Sequence, residues 1–157
     1  MLIVVGLVLI AGFSILVFVD PVNIQKRNRD IDRLESLDAL NRAIHLALLE
    51  GEIALVDTTS CEKCNSEDGS VLVNGTGWVV YSPIPSKIGL KRYFEELPVD
   101  PINKKVANSV YKFVSTSSQG YKLAVRLESL EHQVKMRVDG GIYDDLYEVG
   151  TDMSLEF

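Results

Sequence analysis

From Met1 to Val19 the chain carries no charged residue, and Ser14 is the only polar side chain in that run. As a helix the segment rises about 28 Å, close to the ~30 Å hydrocarbon thickness of a bilayer. Its Ile and Val content would favour a strand in water. In lipid a lone strand leaves its backbone groups unpaired, so a helix is the spanning form. A cleaved signal peptide is the competing reading. It calls for a basic start and a small-residue cleavage site before Asp20, and neither is present. A buried core helix would need a larger protein around it, while packing against further copies of the same helix is compatible with a membrane. Residues 1–19 are therefore expected to form a single-pass transmembrane helix carrying a head on its far end.

The rest of the chain has ordinary globular composition. With 157 residues there is room for one domain of usual size. A formal net charge of −6 argues against a nucleic-acid partner. Asp20-Pro21 follows the apolar run directly. Proline either kinks a continuous helix here or occupies the first position of a new helix capped by Asp20. Beyond it, Ile31, Leu34, Leu37, Leu40, Ile44, Ala47 and Leu48 recur at steps of three and four, one apolar stripe on a helix. Arg29, Asp30, Asp32, Arg33, Glu35, Asp38, Asn41 and Arg42 are assigned to its polar side, and Gly51 is the natural stop. His45 reads as a residue packed on the flank of the stripe. The amphipathic continuation spans 20–51.

In the head, 52–157, the periodicity shortens. Val71–Val73 and Trp78–Tyr81 flank the turn Asn74-Gly75-Thr76-Gly77, and Ser82 to Ser86 reads as a loop. Asn74-Gly75-Thr76 is also a glycosylation sequon. Val110–Val114 and Tyr121–Leu127 alternate as a half-buried antiparallel hairpin should. Glu128–Arg137 predicts a short helix ended by Gly140-Gly141. The expected fold class is α+β, with a long N-terminal helix, apolar then amphipathic, packed on a small antiparallel sheet.

These features resemble the type IV pilins and the pseudopilins of type II secretion. The stretch that carries the likeness at the N-terminus is Phe18-Val19-Asp20-Pro21-Val22-Asn23-Ile24-Gln25-Lys26-Arg27-Asn28-Arg29-Asp30. In the head it is carried by Gly75-Thr76-Gly77-Trp78-Val79, Leu97-Pro98-Val99-Asp100-Pro101-Ile102-Asn103 and Tyr121-Lys122-Leu123-Ala124. Asp139-Gly140-Gly141 and Tyr147-Glu148-Val149-Gly150-Thr151-Asp152 complete it. The resemblance implies a structural subunit that polymerises through its N-terminal helix into a filament. Its partners would be copies of itself, other pilin-like subunits, the membrane assembly machinery and, before assembly, the bilayer. Gly6, Ala11, Gly12 and Pro21 are the residues of that assembly helix where close approach or bending is expected. The family's basic leader and its early Glu have no counterpart here: position five is Val5. Either the start lies upstream of Met1, or this is a variant without the Glu. Lys26, Arg27 and Arg29 after the helix run against the positive-inside rule for an external head, and a basic leader would restore the bias.

Cys61-Glu62-Lys63-Cys64 is the one cysteine pair. Structural zinc would call for a second ligand pair, with only His45 and His132 left to supply it. Thioredoxin-like chemistry would need a βαβ setting. The remaining reading is a disulfide stapling a polar loop outside the cytoplasm. Asp139, Asp144, Asp145 and Asp152, with Gly140 and Gly141, form an acidic late loop where calcium is the candidate ligand; some pseudopilins hold calcium in such a loop. No nucleophile–base pattern or phosphate loop is present, so an enzyme is not expected. The alternative from another class is a monomeric, membrane-anchored binding protein of the envelope. In exported protein, mass spectrometry of the unreduced Cys61–Cys64 peptide is expected to show no alkylatable thiol; two free thiols would overturn the disulfide.

Overall fold

A computed structural model describes residues 20–157. Among them no helix is long and apolar enough to cross a membrane. The expected spanning segment 1–19, and with it Gly6, Ala11 and Gly12, lies outside the described residues.

Helix α1 runs from Pro21 to Leu49. Of the two readings at Asp20-Pro21, the cap is the one found. Asp20 sits in the left-handed region (φ 38°) and its carboxylate accepts from the Asn23 amide at 3.2 Å, with Pro21 at the first helical position. An Asp side chain satisfies one of the free N–H groups of the first turn, and proline has none to lose. At the far end Gly51 takes φ +62° and the Glu52 amide reaches back to the Ala47 carbonyl at 2.8 Å, closing the helix.

The buried face of α1 is Asp30, Arg33, Leu37, Leu40, Ala43, Ile44 and Ala47. Its C-terminal half follows the expected stripe. Its N-terminal half does not: Ile31 is exposed, Leu34 is only half-buried, and Asp30 and Arg33, assigned to the polar side, are fully enclosed. The two charges find partners in the head, so the face there is set by ion pairing rather than by hydropathy. His45 is exposed rather than packed on the flank.

After α1 come strands β1 (Ile53–Leu55) and β2 (Tyr81–Pro83), an antiparallel pair with Leu55 opposite Tyr81. Strands β3 (Lys112–Ser115), β4 (Tyr121–Val125) and β5 (Tyr147–Gly150) form a three-stranded antiparallel meander with Phe113, Leu123 and Val149 in register. Between β4 and β5 lie two single-turn helices, α2 (Leu130–Gln133) and α3 (Lys135–Val138). The chain is thus α+β, with a helix laid against small antiparallel sheets.

Two details of the head differ from the expectation. Val71–Val73 and Trp78–Tyr81 form no ladder. Trp78 donates its amide to Ser70 and the Leu97 amide bonds to Val71, while only Thr76 and Val80 form an isolated bridge. Trp78 is fully buried against Tyr111 and its indole N–H is satisfied by the Pro98 carbonyl at 3.1 Å. The large ring is drawn into the core, and the segment folds around it instead of extending. Tyr81 to Pro83, expected partly as loop, pairs with β1. The hairpin β3–β4 is present, but β4 is buried on both faces, Lys122 included. Leu123 and Val125 join Leu37, Leu40, Ile44, Trp78 and Phe113 in one core. Helix residues and head residues share that core, so the helix from Asp30 onward is a structural part of the head.

Cys61 and Cys64 are joined in a disulfide. The loop beyond it runs beside β3: the Phe113 amide bonds to the Cys64 carbonyl and the Ser66 amide to the Tyr111 carbonyl, both at 2.9 Å. It therefore covers an edge that would otherwise offer free backbone groups.

Candidate functional site

The most charged region of the interior joins α1 to the head. Arg33 is fully buried and its guanidinium is surrounded by three carboxyl groups. Nε and Nη2 take the two oxygens of Asp100 at 2.6 and 3.1 Å, a bidentate fork. Nη1 reaches Asp30 at 3.0 Å and Glu128 at 2.5 Å. Arg29 grips Glu128 from the other side through Nε at 2.9 Å and Nη2 at 2.5 Å. The spare lone pairs are used as well. Asp30 accepts from the amides of Glu128 and Ser129, and Asp100 from those of Ile102 and Asn103. His132 Nδ1 lies 3.2 Å from Ser129 Oγ and 3.6 Å from Asp30.

Local structure explains how each group arrives. Asp30 and Arg33 are one turn apart on α1 and so share a face. Asp100 lies between Pro98 and Pro101, and its side chain folds the following backbone into a turn (an Asx pattern) that holds the carboxylate in place. Glu128 lies three residues past the end of β4, with its amide fixed by Asp30. Burial by itself would lower the pKa of Arg33; the hydrogen bond and charge of Asp100, aided by Glu128, outweigh it, and the value is raised. The Arg29 hydrogen bond holds the Glu128 carboxyl down at about 2 against an ordinary 4.5, helped by Arg33 and opposed by burial.

A second buried pair sits on the other face of the meander. Lys122 Nζ lies 2.5 Å from Glu148 Oε1 with both side chains fully enclosed. The rings of Tyr143 and Phe157 face the ammonium at 5.0 and 4.9 Å, and the Met153 carbonyl is 3.4 Å away. Cation–π contact of this kind replaces part of the lost hydration. The C-terminal tail is thereby folded over β4.

In the acidic late loop, where calcium is the candidate ligand, the four aspartates have different surroundings. Asp139 accepts from the amides of Gly141 and Glu148, and Asp152 from the amide and hydroxyl of Ser154. Asp144 and Asp145 are exposed along a groove shared with Lys26, Arg126 and Arg137. Asp139 and Asp152 are each spent on their own turn, and among the described residues no group of three or more acidic, His or Cys side chains is placed to hold a metal ion. Of the assembly-helix residues, Pro21 is exposed at the start of α1. Beside the disulfide, Thr58, Asn65, Lys112, Phe113 and Phe157 line a groove of about 340 Å³.

Sequence reasoning missed the Arg33 cluster. The available signal was an Asp–Arg pair at helical spacing interrupting the buried side of a stripe, together with a proline-flanked Asp far along the chain. Comparison with protein-family models, with characterised proteins and with solved structures returns no match.

Removing one partner of a buried pair leaves a bare charge, which costs about 3–5 kcal/mol. Urea unfolding of Asp100→Ala is expected to show a loss of that order, whereas Arg27→Ala, whose pairing with Glu131 is exposed, is expected to lose no more than about 1 kcal/mol. Equal losses would remove the cluster from its structural role. Because the folded-state value of Glu128 is depressed, its contribution is present above pH 4.5 and is lost as pH falls towards 2. The stability difference between the native chain and Glu128→Gln is expected to narrow over that window, and a difference independent of pH would contradict the Arg29–Glu128–Arg33 arrangement.

Proposed function

We propose that this chain is a structural, pilin-like subunit, held in a membrane by residues 1–19 and polymerised through the same segment into a filament. The observation that carries the reading is the order of three chemistries along the chain. An uncharged apolar segment ends at Val19, Asp20 and Pro21 open a helix immediately after it, and that helix is clamped to the head by Arg33. The clamp fixes the start of α1, and so the end of the apolar segment, relative to the head, as a filament of repeating subunits requires. The α+β layout, with α1 across an antiparallel meander, supports the same reading.

The assembly step follows from the solvent requirements of segment 1–19. It is apolar all round, so lipid satisfies it in the membrane. On leaving the bilayer it must be covered, and the equivalent segments of neighbouring copies are the available cover. Repetition of one non-closing contact gives a helical filament. Gly6 and Gly12 allow close approach of helices, with Ala11 beside them. The disulfide accords with a head outside the cytoplasm.

The groove beside the disulfide favours a second reading, an anchored monomer whose head binds an envelope ligand there. Electron microscopy separates the two. Gly12→Asp or Ala11→Asp is expected to abolish filaments made with the full assembly machinery. Circular dichroism of the same variants should still report a folded head, since its core begins at Leu37. Filaments from either variant, or a native chain that stays monomeric in membranes with that machinery present, would reject the pilin-like reading.

A further inference from the structure

Helices α2 and α3 carry an apolar stripe that faces outward. Leu130 is 75% exposed, Val134 63% and Val138 72%, spaced four residues apart on one side of the two consecutive turns. His132 and Met136, on the opposite side, supply the inward contacts. A surface helix in water ordinarily turns polar residues outward, and a contiguous exposed apolar surface marks an interaction site. The stripe lies at one particular place in the molecule. Leu130, with Ser129 and Glu131, shares a crevice with Asp20, Asn23, Ile24 and Arg27. Asp20 is the residue that directly follows the apolar segment 1–19. Val22 and Ile24, on the first turn of α1, are exposed as well.

We propose that the stripe Leu130–Val134–Val138 rests on the lipid bilayer that takes up segment 1–19, so that the head lies on the membrane surface before assembly. The inference depends on the membrane-anchored reading of residues 1–19. If that segment is inserted as far as Val19, the lipid interface falls beside Asp20, and the crevice places Leu130 at that boundary. Short amphipathic turns with Leu and Val on one side settle at the headgroup–acyl boundary without spanning it. Lys135 and Arg137 are exposed next to the stripe and can approach lipid phosphates. Asp144 and Asp145, across the groove that Arg137 and Lys26 line, oppose that attraction. The contact is therefore chiefly apolar and should depend little on anionic lipid. A second copy is the weaker occupant: every anchored molecule meets the bilayer at this point without needing a neighbour.

The test uses the full chain, with the native disulfide left oxidised, reconstituted into phosphatidylcholine vesicles with and without phosphatidylglycerol. A small fluorophore is attached to Val134→Cys or, as control, to Ser118→Cys at the exposed tip of the β3–β4 hairpin. The vesicles carry lipids with a nitroxide near the headgroup. Quenching is expected to be several-fold stronger at position 134 than at 118, with or without phosphatidylglycerol. Equal quenching in chains that float with the vesicles would overturn the surface contact while leaving the anchor standing. A label at 134 that is protected from aqueous iodide yet untouched by the lipid nitroxide would assign the stripe to a second copy and overturn it too. Failure of the chain to float with vesicles would reject the anchored reading itself, and this inference with it.

Discussion

The junction of helix and head depends on how the charge of Arg33 is accommodated. A guanidinium without solvent is tolerated only if its donors are used and opposite charge is close, because the cost of stripping water from an ion is several kcal/mol. Arg33 meets both conditions by drawing Asp100 from a loop, Glu128 from the end of β4 and Asp30 from its own helix. Three distant parts of the chain are thereby fixed at one point. Hydrophobic contacts between α1 and the meander are broad and would tolerate sliding; a bidentate fork on Asp100 does not. The cluster therefore sets the rotation and axial position of α1 on the head.

The same logic recurs on the far face of the sheet. Lys122 in the central strand could not be enclosed without Glu148 one strand away and the rings of Tyr143 and Phe157 above it. Its burial recruits the C-terminal residues as a cover, so β4 is closed on one face by the helix and on the other by the tail. The disulfide loop does the corresponding work at the β3 edge. A head of this size has little apolar surface to spare, and each of these devices closes a side of the meander that hydrophobic residues alone leave open.

A filament subunit needs a rigid link between the part that assembles and the part that is displayed. Under the proposed function the charge cluster would supply the head's side of that link, fixing α1 to the head within a few turns of Asp20. The apolar stripe on α2 and α3 lies at the same end, held in position by Asp30 through the amides of Glu128 and Ser129. One buried network thus orients the helix, the head and the surface nearest the proposed membrane.

Much of the architecture was legible before the structure. The helix after Asp20-Pro21, with an Asp20 cap as one of its two readings, its stop at Gly51, the β3–β4 hairpin and the Cys61–Cys64 pairing all follow from local chemistry: proline's missing donor, glycine's access to positive φ, alternation along a strand, and thiols too few for a metal. The rest depends on contacts between residues far apart in sequence. Asp30 and Arg33 fall in line with the buried stripe, but nothing local supplies the partners that let them be enclosed, and nothing local shows that Lys122 will be covered. Likewise Asp139 and Asp152 look like members of one acidic cluster, although each is consumed by a neighbouring turn. Periodicity determines which residues share a face of an element. Which face meets water is decided only when the elements pack, because the stabilisation of a buried charge comes entirely from partners that tertiary structure brings to it.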